Sequence, residues 1–212
     1  MSTSLPTSHS PRLAALIACG GASLRMGTPK ASLTWRGEAF LTRLARQLST
    51  VASPVVVVAA PQQPLPALPP ATRRTDDPVQ HQGPLAALNQ GLLTLQGEAD
   101  LAFYCSCDAP LLVPAFVTRL ATLLDDHSDL VMVRWKDRLQ GCATLLRVAL
   151  QPTVQQLLDQ DRRRLLDLVD VSRGRIVDAF ELTDVDPDLL TLRGVNTPAE
   201  LAELERIWGW VE

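Results

Sequence analysis

The chain has 212 residues, of which 46% are hydrophobic, and carries a formal net charge of −3. This length and apolar content are enough for one sizeable core, so we expect a single domain. The balance of charge implies no basic face, which argues against nucleic acid as the main partner, and no apolar run approaches the roughly 20 residues that span a bilayer.

The N-terminal segment is polar and lacks the apolar stretch of a signal peptide. We interpret residues 1–12 as a disordered tail and residues 13–212 as the domain. Without an export signal, the four cysteines indicate a reduced, cytoplasmic protein. Cys105 and Cys107 share one face of an apparent strand, and we expect them to be small core residues rather than ligands or a redox pair.

The first half of the chain alternates apolar runs with segments of helical spacing, joined by a proline-rich connection over residues 61–70. This alternation predicts an α/β fold, a mostly parallel sheet with helices on both faces. The predicted strands are 13–19, 54–58 and 101–107, and the predicted helices are 38–49, 84–95 and 114–124.

The pattern changes in the second half. Two apolar runs at 130–133 and 142–146 flank a polar turn at Lys136-Asp137-Arg138 and predict a hairpin. Two helices near 150–159 and 163–169, a strand near 175–182 and a last helix from about Pro198 are expected to follow.

Three polar segments follow predicted strands: Gly20-Gly21, Asp76-Asp77 and Asp108. In open α/β sheets, ligands bind at the carboxyl ends of the strands. We therefore expect these segments to lie together at one edge of the sheet.

The strongest chemical signal comes after the first strand and reads ACGGASLRMGTPK from Ala18 to Lys30. Its glycines let the backbone approach phosphates and offer N–H donors. Arg25 can fork onto phosphate oxygens, and Lys30 supplies a point charge. The spacing fits neither a Walker A loop nor the dinucleotide fingerprint.

This loop resembles the GGxSxRMGxPK signature of the molybdenum cofactor guanylyltransferases and their nucleotidyltransferase relatives. The resemblance continues in order along the chain through Asp76 before GPL at 83–85, CDAP at 107–110, the pair Arg163-Arg164 and GVNTP at 194–198. The departures include Gly194, where the family has asparagine, and Gln140-Gly141-Cys142, where a proline is usual.

The resemblance implies a three-layer, Rossmann-like nucleotidyltransferase fold. It implies that GTP, with Mg²⁺, donates a guanylyl group to molybdopterin or its molybdenum complex, and that pyrophosphate leaves. We expect a monomer or weak homo-oligomer. The resemblance implies that Arg25, Lys30 and Asp108 are catalytic, that Asp108 and Asn196 are metal ligands, and that Arg163 and Arg164 bind the acceptor. The nucleotide-binding residues that it implies are Ala18, Cys19, Gly20, Gly21, Arg25, Lys30, Asp76, Gly83, Pro84, Leu85 and Asp108.

Several of these residues have a second interpretation. Asp108 could instead cap a helix ahead of Pro110, and Asn196 could cap the last helix. Asp77 competes with Asp76, and the arginine pair could be a solvated helix start.

Alternative functions are the same chemistry with CTP, or with a sugar phosphate or other phosphorylated acceptor. A nucleotide-binding regulator without catalysis and a flavodoxin-like binding module are the alternatives of another class.

Overall fold

The computed structural model describes residues 10–19, 30–77, 83–195 and 197–208. The predictions for Gly20, Gly21, Arg25 and Asn196, and for most of the N-terminal tail, lie outside these ranges. Lys30 is described by its backbone alone.

Nine strands and six helices are found within these ranges. The strands are β1 (Leu13–Ala18), β2 (Thr34–Trp35), β3 (Glu38–Ala39), β4 (Val55–Ala59), β5 (Thr72–Asp76), β6 (Leu101–Ser106), β7 (Leu130–Trp135), β8 (Arg138–Arg147) and β9 (Gly174–Asp178). The helices are α1 (Phe40–Leu48), α2 (Pro84–Leu95), α3 (Pro114–Leu123), α4 (Gln151–Asp159), α5 (Asp167–Val171) and α6 (Pro198–Trp208).

A seven-stranded sheet in the order β5-β4-β1-β6-β8-β7-β9 forms the centre of the protein. The pairs β4-β5, β1-β4, β1-β6 and β7-β9 are parallel, while β8 runs antiparallel to both of its neighbours. The predicted hairpin is confirmed, with its turn at Lys136 and Asp137, which both have positive φ. Two consecutive residues with positive φ form the tight two-residue turn whose twist matches that of the strands in a β-hairpin.

Helices cover both faces of the sheet, because strand residues alternate between two cores. Ala15 and Ile17 pack with α1 and α3 on one face, whereas Ala14 and Leu16 pack with α2, α4 and α5 on the other. The predicted three-layer α/β architecture is therefore confirmed. Among the described helices, none has the length and apolar character needed to cross a bilayer.

A third, smaller hydrophobic cluster lies apart from these two cores. It consists of Trp35, Phe40, Leu111, Leu190 and Val195. These residues come from three distant parts of the chain: the β2-β3 hairpin with the start of α1, the segment after β6, and the segment after β9. Trp35 is 5% exposed and therefore packs in the interior.

Two predicted boundaries are wrong, and three strands were missed: β2, β3 and β5. The helix expected near 163 begins at Asp167, which leaves the three arginines at 162–164 in the connection before it. The strand expected over 175–182 ends at Asp178 and continues as a short 3-10 helix. β5 was not predicted, because its sequence TRRTD is polar and half-exposed at the edge of the sheet.

Candidate active site

The carboxyl ends of the parallel strands form one edge, and backbone hydrogen bonds extend the sheet slightly beyond it. The amide of Cys19 donates to the Val58 carbonyl at 2.8 Å, and the amide of Cys107 donates to the Ala18 carbonyl at 3.1 Å. The chain passes outward from β1 through β4 to β5 and then returns to β6 on the other side of β1. Such a reversal opens a crevice beside β1, where α/β proteins bind ligands.

Asp108 comes two residues after β6, at this crevice, and is half-buried. Its carbonyl oxygen accepts a hydrogen bond from the Val195 amide at 2.8 Å. The helix after it starts at Pro114 with Val113 as its cap, so the helix-cap interpretation of Asp108 is wrong. The Val195 contact also brings the end of the segment 83–195 to the same loop.

Within the described ranges, no three His, Cys, Asp or Glu side chains converge as a metal cluster. The single carboxylate of Asp108 is compatible with Mg²⁺, because this ion commonly takes one or two carboxylates and completes its shell with phosphate oxygens and water. A single carboxylate at the mouth of a crevice therefore fits a metal that arrives with a triphosphate.

The start of α2 borders the crevice on the side of β6. Gly83 precedes the helix with φ of 85°, a conformation that favours glycine. The buried Tyr104 hydroxyl of β6 donates to the Pro84 carbonyl at 3.0 Å. This bond fixes the first turn of α2, and with it Leu85, against the strand that leads to Asp108.

The arginine segment lies against the same turn. A β-carbon placed on Gly83 would be 3.2 Å from the Arg163 carbonyl oxygen. A β-carbon on Gly141 of β8 would be 3.0 Å from Cβ of Leu165. The absence of side chains at these two glycines thus lets residues 163–165 pack between α2 and β8.

The three arginines form ion pairs within their own segment. Arg163 contacts Asp161 at 2.7 Å, and Arg164 contacts the buried Asp167 at 3.0 Å. Arg162 contacts Asp170 at 3.0 Å. Their side chains retain 33–78% exposure, so these arginines are open to solvent beside the crevice.

The two neighbouring carboxylates after β5 differ in their surroundings. Asp76 accepts a hydrogen bond from Nε of Arg74 at 2.7 Å, and Arg74 also holds the carbonyl of Gln63. Asp77 continues the strand, since its amide donates to the Ala59 carbonyl at 2.8 Å. Strand alternation places Asp77 on the face of Thr75.

Thr75 contacts α2 through Gln90 and Thr94. Asp77 therefore faces α2, the helix that Gly83 precedes. Burial raises the pKa of Tyr104, and nearby cysteine thiols and the carboxylate of Asp77 raise it further. The carboxylate that shares the α2 face is thus Asp77, whereas the Asp76 carboxylate is held by Arg74.

Comparison with known proteins gives the family. The profile of the MobA-like NTP transferase domain matches residues 15–175. This chain belongs to that family. It is a nucleotidyltransferase enzyme of the MobA-like type.

Curated relatives extend the match over nearly the whole chain. A probable molybdenum cofactor guanylyltransferase of Mycobacterium avium is 35% identical over 198 residues, covering 92% of this chain and 96% of the relative. A protein of the same description from Mycobacterium tuberculosis H37Rv is 33% identical over 192 residues, covering 89% and 91%.

Solved structures share the fold of this MobA-like protein. Molybdopterin-guanine dinucleotide biosynthesis protein A of Archaeoglobus fulgidus superposes with a TM-score of 0.77 at 15% identity, over 92% of this chain and 98% of that one. The 4-diphosphocytidyl-2C-methyl-D-erythritol synthase of Anaerococcus prevotii has a TM-score of 0.68 at 12% identity, over 94% and 96%. At these identities the likeness establishes the fold alone.

Two of the cysteines of this MobA-like enzyme, Cys105 and Cys107, are placed as expected. Cys105 and Cys107 are buried in the core, Cys19 is buried beside them, and Cys142 is exposed. A hydrogen bond with Cys107, together with burial, raises the pKa of Cys19, and burial raises the pKa of Cys105. Protonated, buried thiols are poor nucleophiles and poor metal ligands.

Sequence reasoning missed two residues around the site: Tyr104, and Arg43 of α1, whose Nε donates a hydrogen bond to the Pro110 carbonyl in the loop of Asp108. Tyr104 is the only tyrosine in the sequence and sits in an apolar strand. A buried tyrosine hydroxyl requires a partner, which was the signal that pointed to a polar contact there. Arg43 gave no such signal, because an arginine in an amphipathic helix is usually solvated.

Proposed function

We propose that this MobA-like nucleotidyltransferase transfers the guanylyl group of GTP to a phosphorylated acceptor of the molybdopterin type, in molybdenum cofactor biosynthesis. The observation that carries the proposal is the convergence at one sheet edge of the segments after β1 and β6, the start of α2 and the backbone of Arg163. The curated relatives, which span nearly the same length, support guanine as the base and molybdopterin as the acceptor.

The chemistry needs little proton transfer. An anionic phosphate oxygen of the acceptor attacks the α-phosphorus of GTP and forms a new P–O bond. The bond from that phosphorus to the oxygen bridging the β-phosphate breaks, and pyrophosphate leaves. Catalysis of this kind depends mainly on positioning and on the neutralisation of charge.

The nucleotide would occupy the crevice beside β1. The backbone after Ala18 and Cys19, through Gly20 and Gly21, would cradle the phosphates, with Arg25 and Lys30 as their cations. The segment Gly83–Leu85, together with Asp77 or Asp76, would lie at the nucleoside. The α2 N-terminus adds backbone N–H donors on this side.

Asp108 would hold Mg²⁺, with Asn196 as a second ligand. The bound metal would offset negative charge on the triphosphate and on the departing pyrophosphate. The supporting observation is the half-buried position of Asp108 at the crevice, with its loop tied to Val195.

The acceptor would lie on the side of β8, because the other side is taken by nucleotide. Arg163 and Arg164 are the proposed contacts for its phosphate. Both are paired with aspartates, so an arriving phosphate would compete with Asp161 and Asp167 for them. A cytoplasmic location and a monomeric or weakly oligomeric state remain predictions from the sequence.

The decisive experiment measures pyrophosphate release by the purified protein with Mg²⁺, molybdopterin and each of the four NTPs in turn. We expect release with GTP and very little with CTP, ATP or UTP. If the protein instead prefers CTP, the proposed activity would be cytidylyl transfer rather than guanylyl transfer. GTP binding without release would contradict the proposed acceptor, and a screen of sugar phosphates would then separate another acceptor from a non-catalytic regulator.

A further inference from the structure

Arg43 extends from α1 toward the loop that carries Asp108. Its side chain is 15% exposed. Its Nε donates a hydrogen bond to the Pro110 carbonyl oxygen at 3.1 Å. Pro110 comes two residues after Asp108, so this bond holds the backbone of the loop directly.

The same guanidinium also contacts the β2-β3 hairpin. Its Cζ lies 4.8 Å from the centroid of the Trp35 ring, and its Nη1 lies 3.5 Å from Oε2 of Glu38. This hairpin starts at Thr34, shortly after the 3-10 helix that begins with Lys30. One side chain therefore joins the segment after Lys30 to the loop of Asp108.

The chemical character of arginine suits this place. A planar guanidinium can stack on an aromatic ring while its edge donates hydrogen bonds, which an ammonium group cannot do equally well. Burial lowers the pKa of Arg43, yet an arginine stays protonated in proteins. A largely buried charge is stable only with its partners in place, so the orientation of Arg43 is fixed.

We propose that Arg43 is a positioning residue, which fixes the Asp108 loop relative to the segment that follows Lys30. Its effect on turnover rests on the proposed function, because that function gives Asp108 and Lys30 their roles. Its effect on the order of the loop does not depend on the reaction.

The experiment compares Arg43→Lys and Arg43→Met with matched changes at Arg46. Arg46 lies on the same helix and contacts the same Oε2 of Glu38 at 2.9 Å, but it is 56% exposed. The first measurement is hydrogen–deuterium exchange of peptides covering residues 107–113, where the Ala109 and Leu112 amides make hydrogen bonds of 3.3 and 3.4 Å. The second is kcat and KM for GTP.

We expect both Arg43 variants to exchange faster in this segment, whereas the Arg46 variants match the wild type. The kcat should fall by about tenfold, because a small displacement of a catalytic group is costly, while KM for GTP changes less. Melting curves identify a variant that fails to fold. If Arg43→Met fails to fold, the comparison is made with Arg43→Lys alone.

Unchanged exchange in Arg43→Lys, or equal increases in the Arg46 variants, would overturn the inference. Faster exchange restricted to the Arg43 variants supports it even if no guanylyl transfer is found, so failure of the proposed function would be seen separately. An Arg43 variant with faster exchange and a wild-type kcat would show that the contact orders the loop without serving catalysis, which also contradicts the proposal.

Discussion

At the scale of single residues, the backbone around Asp108 is held from two sides. The Val195 amide donates to the Asp108 carbonyl, and Arg43 donates to the Pro110 carbonyl. The backbone that carries the Asp108 carboxylate is therefore restrained at both points. Pre-organisation of this kind is what a metal and a triphosphate require from a site on a loop.

Asp108→Asn should reduce pyrophosphate release by roughly a hundredfold or more, because the amide keeps the shape of the carboxylate but removes the charge that we propose as the metal ligand. The melting temperature should stay close to that of the wild type. Asp137→Asn is the matched control, since Asp137 is exposed in the β7-β8 turn with φ of 60°, which asparagine also tolerates. Substantial activity in Asp108→Asn would contradict the metal role.

Asp77→Asn should weaken GTP binding more than Asp76→Asn does. Asp77 faces α2, whereas the Asp76 carboxylate is engaged by Arg74 at 2.7 Å. Calorimetric titration with GTP and Mg²⁺ measures both variants under the same conditions. The reverse order would assign the nucleotide contact to Asp76, as the family resemblance alone suggests.

At the scale of elements, a ladder of side-chain amides joins α2 to α4. Asn89 donates to Gln155 at 2.9 Å, Gln151 donates to Asn89 at 3.0 Å, and Gln96 donates to Gln151 at 3.1 Å. Asn89 and Gln151 are buried, so these bonds are costly to leave unmade. The ladder sets the register of the two helices, and that register brings Gly83 to Arg163.

Gly91→Ala tests how closely α2 packs on the sheet. A β-carbon there would be 2.7 Å from Cδ1 of the fully buried Leu16. Overpacking costs about 1–3 kcal/mol, and the better helix propensity of alanine returns about 1 kcal/mol. We therefore expect a net loss of about 1 kcal/mol in the free energy of unfolding, measured by urea titration.

A double-mutant cycle with Leu16→Val gives the control for that prediction. Valine lacks the δ-carbons that meet the new methyl group, so the two substitutions should be less destabilising together than the sum of their separate effects. Strict additivity would show that the crowding is relieved elsewhere.

The sequence predicted the buried elements well and the polar ones poorly. The strand at Val55–Ala59 was evident from its run of valines, whereas β5 has no apolar face because it closes the sheet at its edge. Similarly, Asp108 was found from its place after an apolar strand. The contact of Arg163 with Gly83 was not predicted, because it depends on tertiary packing between distant segments.

At the scale of the whole molecule, arginine–carboxylate pairs tie distant segments together across the surface. A hydrogen bond from Arg12 lowers the pKa of Asp100, one from Arg173 lowers that of Asp129, and one from Arg134 lowers that of Asp178. Each pair joins residues at least 44 positions apart. These carboxylates are consequently more acidic in the folded protein than in the unfolded chain.

The melting temperature should therefore fall as the pH is lowered from about 5 to about 2, because the unfolded chain takes up protons first. Stability from these pairs is fully present above the ordinary pKa of an aspartate, about 4, and is lost as the pH falls through the folded-state values. Scanning calorimetry at constant ionic strength measures the effect. Arg173→Met should make the dependence shallower, and equal melting temperatures at pH 3 and pH 6 would contradict the prediction.

The third hydrophobic cluster also affects the order in which the enzyme folds during its synthesis. It joins Trp35 and Leu111 to Leu190 and Val195, and a ribosome delivers the last two only after all nine described strands. Domains begin to fold while the chain is still emerging, so β1, β4 and β6 are available long before the Asp108 loop receives its contact from Val195. A nascent chain that has not yet reached Val195 therefore carries every described strand of the sheet without this contact to the Asp108 loop.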